Sequence, residues 1–479
     1  MLSINIFLEL GRYLGFLIIV LISFVGFRLL FYYRSFFLHP DSFRRRQAIS
    51  DDTLRALPTL PFLKIQITTR GSPGSTDVIR RGIQSVLKLI ESAPDLYQAL
   101  ISIEVLTDSA AEQEALEAIF HSGAVPAEGA VVVVPPDYQT PRGTQLKARG
   151  LHYLVELRRQ GFNRKPGRTF IVHYDEESVM PAAELRKLIH YLATVGKPLT
   201  EGPIFYPLDY SDATLICRAM EANRALGCYE CREVMEAGIP LHMHGSNLVV
   251  DEELANDIGW DIGTLDEQPF IAEDYVFGVQ VFLRYGPEVF GWHGCVMYEQ
   301  PPFSLKSAYR QRHRWIIGVL QGVAKLPQLP EFHTLTPRLR RRLIWGTRYR
   351  VATFALGLPT GVFSFLYVLF QAGFLLHGTA TQPLPTPLLL WLVLVGYMWL
   401  NGLLIGAWYN VSTNDQLSAH GRWLEVARVL SLAPLAGIAE SAAGFTATVK
   451  WLLGERRVSW VTTPKTTLAD QTVDTGEAA

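Results

Sequence analysis

The sequence predicts an α/β domain with a mainly parallel sheet, facing the cytosol and flanked by transmembrane helices. Between residues 60 and 175, short β-rich runs alternate with longer helical patterns, the arrangement that builds a parallel sheet covered by helices. Long uncharged apolar runs stand at both ends of the chain, and arginine clusters border them.

Taken in order, the first element is an anchor, residues 1–34. Tyr13 to Phe27 is uncharged, and Arg28 interrupts only where a long side chain can snorkel to the interface. Leu14 to Tyr33 reads as the spanning helix. No basic leader and no small-residue cleavage site accompany it, so it reads as retained rather than cleaved. Arg34, Arg44, Arg45 and Arg46 follow, and by the positive-inside rule they place residues 35–330 in the cytosol.

Within that domain the expected strands are Leu63 to Thr69, Ile101 to Thr107, Val131 to Pro135 and Thr169 to His173. Helical stretches near Thr76 to Ser92, Ala110 to His121 and Gly143 to Gln160 lie between them. In such sheets ligands gather at the carboxyl ends of the strands. That rule singles out Thr68-Thr69-Arg70-Gly71, Thr107-Asp108 and Asp175-Glu176-Glu177, three polar clusters that each close an apolar run.

Arg338 to Arg350 mixes arginine with Leu, Ile, Trp and Tyr, which reads as an interfacial helix within 331–350. The region 351–465 then holds two spans. Val351 to Leu376 has no charged residue and can cross a core ~30 Å thick, and Leu388 to Tyr409 does the same. The loop His377 to Thr386 between them is uncharged. Val429 to Val449 is apolar but contains Pro434, Gly437 and Glu440, with Lys450, Arg456 and Arg457 close behind. It reads as re-entrant or interfacial, with a third C-terminal span as the alternative. The sequon at Asn410-Val-Ser412 falls on the inner side and carries no weight, and residues 466–479 read as a disordered tail.

Composition narrows the function classes. A chain of 479 residues, 49% hydrophobic with a formal net charge of −1, lacks the basic excess of a nucleic-acid binder. Four cysteines are too few for a disulfide framework at this length, and the Cys228-x-x-Cys231 pair has no second pair at zinc spacing.

The chemistry-bearing residues come in a fixed order. Asp175 and Glu177, at i and i+2 on an extended chain, face one side and can share a hard divalent cation such as Mg²⁺ or Mn²⁺. A solvated acidic turn is the plain alternative. Glu273-Asp274 opens an apolar helix, where the macrodipole alone would favour carboxylates. Gln311, Arg314 and Trp315, at i, i+3 and i+4, share one helical face that offers an amide, a cation suited to diphosphate and an aromatic plate. His242 and His244 form a lone H-x-H, more often packing than a metal site.

In this order the sequence resembles the family-2 glycosyltransferases of GT-A fold, and within them the Egghead-type β-1,4-mannosyltransferases. The likeness covers roughly residues 60 to 325. It runs through Ile67-Thr-Thr-Arg-Gly71, Glu104-Val-Leu-Thr-Asp108, Gly143-Thr-Gln-Leu-Lys-Ala-Arg149, Val172-His-Tyr-Asp-Glu-Glu-Ser178, Ala272-Glu-Asp274 and Met297-Tyr-Glu-Gln-Pro-Pro-Phe-Ser304 before the Q-x-x-R-W. The resemblance implies a nucleotide-sugar donor, a lipid-linked or glycan acceptor and a divalent metal. It implies donor contacts from Thr69, Arg70, Asp108, Lys147, Arg149, Asp175 and Arg314, and a cation on Asp175 and Glu177. Asp274 would be the general base of an inverting displacement, with Glu273, Gln311 and Trp315 toward the acceptor. The alternative enzyme is a processive polysaccharide synthase using a UDP-sugar. A catalytically silent binding protein is the third reading, and the joint presence of Asp175, Glu177, Asp274 and Arg314 counts against it.

Overall fold

The computed structural model describes residues 2–456, apart from 28–29, 32–33, 72–73, 242, 377–385 and 415–416. Arg28, Tyr33, His242, nearly all of the loop between the two expected C-terminal spans, Arg457 and the tail expected over 466–479 therefore lie outside the described residues.

An N-terminal helix, α1 (Leu2–Gly26), precedes the sheet. The four expected strands are β1 (Phe62–Thr68), β2 (Ile101–Thr107), β3 (Glu128–Val133) and β4 (Thr169–Asp175). Three more join them: β5 (Leu199–Glu201), β6 (Leu248–Asp251) and β7 (Phe290–Trp292). The sheet order is β7-β5-β6-β4-β1-β2-β3. β1 runs parallel to both β2 and β4, and β2 parallel to β3, while β6 lies antiparallel to β4 and β5. This is the expected mainly parallel α/β sheet, with one strand reversed. In register Thr68 pairs with Asp175 and with Leu106, so β1, β2 and β4 end level on one edge.

Helices cover both faces: α2 (Ser75–Ser92), α3 (Gln113–Phe120) and α5 (Ala182–Thr194) on one, α4 (Leu146–Arg159) on the other. Leu63, Ile65 and Ile67 of β1 and Phe170, Val172 and Tyr174 of β4 pack against Ile79, Ile83, Leu185 and Leu188 on the first face. The second face is mixed. Lys64, Gln66, Glu104 and His173 point there, all at most 2% exposed. Arg158 of α4 meets them, donating to Glu104 and, at 2.5 Å, to Gln66 Oε1, while Lys64 Nζ donates to Glu252 at 2.7 Å. Burial alone would push the Glu104 carboxyl up, but Arg158 and Lys64 hold it below its ordinary value. Buried charges persist here because each has a partner.

The second half of the chain supplies α6 (Leu215–Glu236), α7 (Glu273–Tyr285) and α8 (Leu305–Lys325), then α9 (Pro337–Leu376), α10 (Thr386–Ser412) and α11 (Ala419–Leu452). α9 joins the arginine-rich stretch and the apolar stretch after it in one 40-residue helix with Pro359 inside. Residues 429–449 lie in α11, a continuous 34-residue helix that passes through Pro434. Among the described residues α11 is the one helix long and apolar enough to cross a membrane, and Tyr13–Gly26 is a shorter apolar stretch. α11 is also bound to α6 and α8 by polar contacts. Arg218 of α6 donates to Glu425 at 2.6 Å, Asn223 donates to Glu440 at 2.6 Å, and Tyr309 of α8 shares a 2.6 Å hydrogen bond with Thr446.

Candidate active site

The level strand ends open into a cleft. It is lined by Thr69 and Arg70 after β1, Asp108 after β2, Lys147 on α4, Asp175 and Glu177 at the end of β4, Glu273 and Asp274 at the start of α7, and Gln311, Arg314 and Trp315 on α8. Two of the loops are built alike. The Thr69 hydroxyl accepts from the Gly71 N–H and the Thr107 hydroxyl from the Ser109 N–H, each at 3.0 Å. Gly71 has φ 69°, and a Cβ there would lie 2.4 Å from Ser109 Cβ, so only glycine lets the two loops close on each other.

Charge organises the floor. Lys147 Nζ donates to Asp175 Oδ1 at 2.7 Å and to the Gly245 carbonyl at 3.3 Å, and lies 3.7 Å from Glu273. Burial opposes the Lys147 ammonium, yet Asp175 and Glu273 carry it above its ordinary value. A Cβ added at Gly245 would stand 3.5 Å from Lys147 Nζ, 3.6 Å from Asp274 Oδ2 and 3.9 Å from Asp175 Oδ2. Those three groups therefore surround one point.

Asp274 accepts the Tyr275 N–H at 2.9 Å in the first turn of α7. Burial, and then the neighbouring Glu273 charge, push its carboxyl up to about 8. Burial likewise raises Glu273, and it lowers Arg314, which faces Glu273, Asp175 and Glu177.

Of the residues given a donor, acceptor, metal or catalytic role, Arg149 alone stands back from the cleft. Its Nη2 donates to Asp108 at 2.9 Å, and its Nη1 donates to the carbonyls of Pro135, Pro136 and Tyr138, so it braces Asp108 from behind. Trp315 is in the cleft, but its ring carries the Arg224 guanidinium 4.4 Å from the centroid, with Arg312 at 5.3 Å. Gln311 accepts from Arg312 at 2.7 Å.

The Gly245-Ser246 turn, which in the sequence reads as an acceptor-side or donor-side loop, lines the cleft. Two charged cleft residues escaped the sequence reading. Arg224 sits in mid-helix on α6. Glu299 lies inside a stretch that matched by resemblance but carried no chemistry of its own. Glu299 accepts from Ser178 at 3.2 Å and from Ser246, and burial together with the Glu177 and Asp175 charges pushes it up to about 7. That crowding of oxygen-bearing anions is the environment a hard divalent cation fits. Among the described residues no three His, Cys, Asp or Glu side chains form a closed metal site, and Asp175 is paired with Lys147.

Sequence comparison points to a class. Residues 170–405, just under half of the chain, match the sequence model described as Glycosyl transferase family group 2. Its curated relatives include the beta-1,4-mannosyltransferase egh of Drosophila melanogaster, 25% identical over 318 residues, which are 66% of this chain and 63% of that protein. A beta-1,4-mannosyltransferase of Caenorhabditis briggsae is 26% identical over 194 residues, 40% of this chain and 41% of that one. The matched regions thus span less than two thirds of the relatives' own lengths. A mannosyltransferase from Pyrobaculum calidifontis, solved with GDP-Man and Mn²⁺, aligns over 92% of this chain and 99% of its own at 14% identity, with a TM-score of 0.47. S. aureus TarS 1-349 aligns over 85% of this chain and 98% of its own at 12% identity and a TM-score of 0.33. Neither score reaches a shared fold, and the architecture stands on the sheet order itself.

Proposed function

We propose that this chain is a metal-assisted, inverting glycosyltransferase that moves a sugar from a nucleotide-sugar donor to a membrane-associated acceptor. GDP-mannose is the first donor to test, because its relatives are named mannosyltransferases. The observation that carries the reading is the meeting of Asp274, Asp175 and Lys147 around one point at the carboxyl edge of the sheet.

In this reading Asp274, as carboxylate, takes the proton of the acceptor hydroxyl. The freed oxygen bonds to the anomeric carbon from the far side, and the bond from that carbon to the diphosphate breaks, its electron pair leaving with the nucleoside diphosphate. One displacement inverts the centre. Arg314 and Lys147 face the oxygens that gain charge, as preorganised cations do in a cleft shielded from water. Asp175 and Glu177 are the residues to hold a divalent cation, whose chemistry when bound is to neutralise diphosphate charge. Thr69, Arg70 and Asp108, braced by Arg149, receive the nucleotide; Glu273, Gln311 and Trp315 stand toward the acceptor.

The same reading places α1, α9 and α10 in a bilayer with the sheet on the cytosolic side. Exposed large apolar side chains concentrate on these helices: Phe16 and Val20, Phe365 and Leu369, Leu390 and Val393. A surface of this kind marks contact with lipid or with another protein.

The test is release of free nucleotide by the purified chain in lipid, with Mn²⁺ and a lipid extract, across GDP-mannose, UDP-glucose, UDP-N-acetylglucosamine and UDP-galactose. Turnover of GDP-mannose with a short lipid-linked product, stopped by EDTA and restored by Mn²⁺ or Mg²⁺, is expected. A long polymer made from a UDP-sugar would replace this reading with a polysaccharide synthase, and chelator-resistant turnover would remove the metal.

A further inference from the structure

A second cavity, which shares no lining residue with the cleft, lies where the segment after α1 meets the end of α10 and the start of α11. It is an open groove of about 600 Å³, lined by Arg44, Arg46, Lys187, Trp408, Tyr409 and Trp423. The charges in it do not cancel. Lys187 is answered by Glu184 at 2.7 Å, and Arg46 lies 3.9 Å from the exposed Asp41. Among the described residues no carboxylate pairs with Arg44, whose guanidinium rests 4.8 Å from the centre of the Tyr409 ring. The groove is therefore cationic, walled by aromatic rings.

Its apolar approach is equally definite. On α10, Leu390, Val393, Leu394, Tyr397, Leu400 and Leu404 are all exposed, at spacings that lay them along one helical stripe. The stripe ends at Leu404, which lines the groove. Tryptophan, tyrosine and arginine together at the end of an apolar helix are the side chains that settle at headgroup level.

We infer that this groove holds the phosphate headgroup of an anionic phospholipid, its acyl chains lying along the α10 stripe. The phosphate is met by Arg44 and Arg46, and Trp408 and Trp423 flank it. This rests on the membrane-spanning part of the proposed function and goes beyond it, because it names a lipid class and a site outside the catalytic cleft.

Native mass spectrometry of the full chain, released from micelles doped with dioleoyl phosphatidylglycerol or dioleoyl phosphatidylcholine, tests it. The anionic lipid should be retained in preference to the zwitterionic one. R44Q/R46Q should weaken phosphatidylglycerol binding by about thirtyfold, and the exposed R46Q alone by about fivefold, at roughly 1 kcal/mol per arginine. Phosphatidylcholine retention should not change. Equal retention of both lipids, or an unaltered preference in R44Q/R46Q, overturns the inference. Displacement of the lipid by inorganic phosphate at equal concentration also overturns it, by assigning a free-phosphate site instead. An alkaline carbonate wash separates this failure from that of the membrane reading: a chain that stays with the membrane but shows no lipid preference loses only the headgroup site, whereas a chain that washes off loses both.

Discussion

As the proposed general base, Asp274 stands between two requirements. To accept a proton it must be ionised, yet burial and Glu273 hold its carboxyl up to about 8. Transfer should therefore climb with pH to about 8 and then level, which a pH profile of kcat on saturating donor would reveal. The sign for stability is opposite. A carboxyl raised above its unfolded value of 3.8 binds its proton more tightly in the folded chain, so stability declines as pH rises from there to about 8. Asp274→Asn removes that buried charge. It should raise the melting temperature, most of all near the alkaline end, while transfer drops by roughly 10²- to 10⁴-fold. A variant that is no more stable and turns over normally would end the assignment. Gly245→Ala tests the meeting point itself. All three distances from the added methyl are ordinary van der Waals contacts, so the variant should fold, but with a raised donor KM because the methyl enters the space that Lys147, Asp274 and Asp175 share.

Between elements, the seat of Asp274 depends on how closely α8 lies against the start of α7. Gly318 and Gly322 make that approach. A Cβ at Gly318 would come 2.5 Å from Ala272 Cβ, and one at Gly322 2.5 Å from Tyr275 Cε1. Gly318→Ala should push the carboxylate pair off its position, at a cost of about 1–3 kcal/mol in stability. A displacement near 1 Å should lower kcat about 10²-fold with little change in donor affinity. The central strands show where sequence reasoning reached and where it stopped. The placement of β1, β2 and β4 was legible because apolar runs ended in polar clusters. Lys64, Gln66 and Glu104 alternate with those apolar residues, and alternation on its own reads as one wet face. The structure buries both faces, because α4 delivers Arg158 from far along the chain, a pairing that local periodicity cannot carry. Arg158→Met should accordingly cost about 3–5 kcal/mol, measured by denaturant or thermal unfolding, by leaving Glu104 buried without its main partner. β5, β6 and β7 went unread for a simpler reason: with three or four residues each, they are too short for a period to show. The cleft residues were found wherever a strand end or a helix face announced them. Arg224 and Glu299 reach it by tertiary packing alone.

For the whole molecule, α1, α9 and α10 form the part that meets lipid in the proposed reading, and Leu400 is exposed at the middle of α10. Leu400→Arg should disfavour insertion by roughly 3 kcal/mol, visible as a smaller carbonate-resistant fraction. In the proposed reading, the bonds from Arg218, Asn223 and Tyr309 to α11 have a consequence for what the chain can reach. They tie the helices that carry Arg224 and Arg314 to α11, which is itself long and apolar enough to cross a membrane, so the proposed reaction point is held at a fixed standoff instead of swinging on a tether. Such a molecule works as a gauge. A lipid-anchored acceptor must lift its hydroxyl to that height, and a series of acceptors with graded spacers should show turnover peaking at one length. Loosening the tie at all three bonds, with Glu425→Gln, Glu440→Leu and Tyr309→Phe together, should flatten the peak.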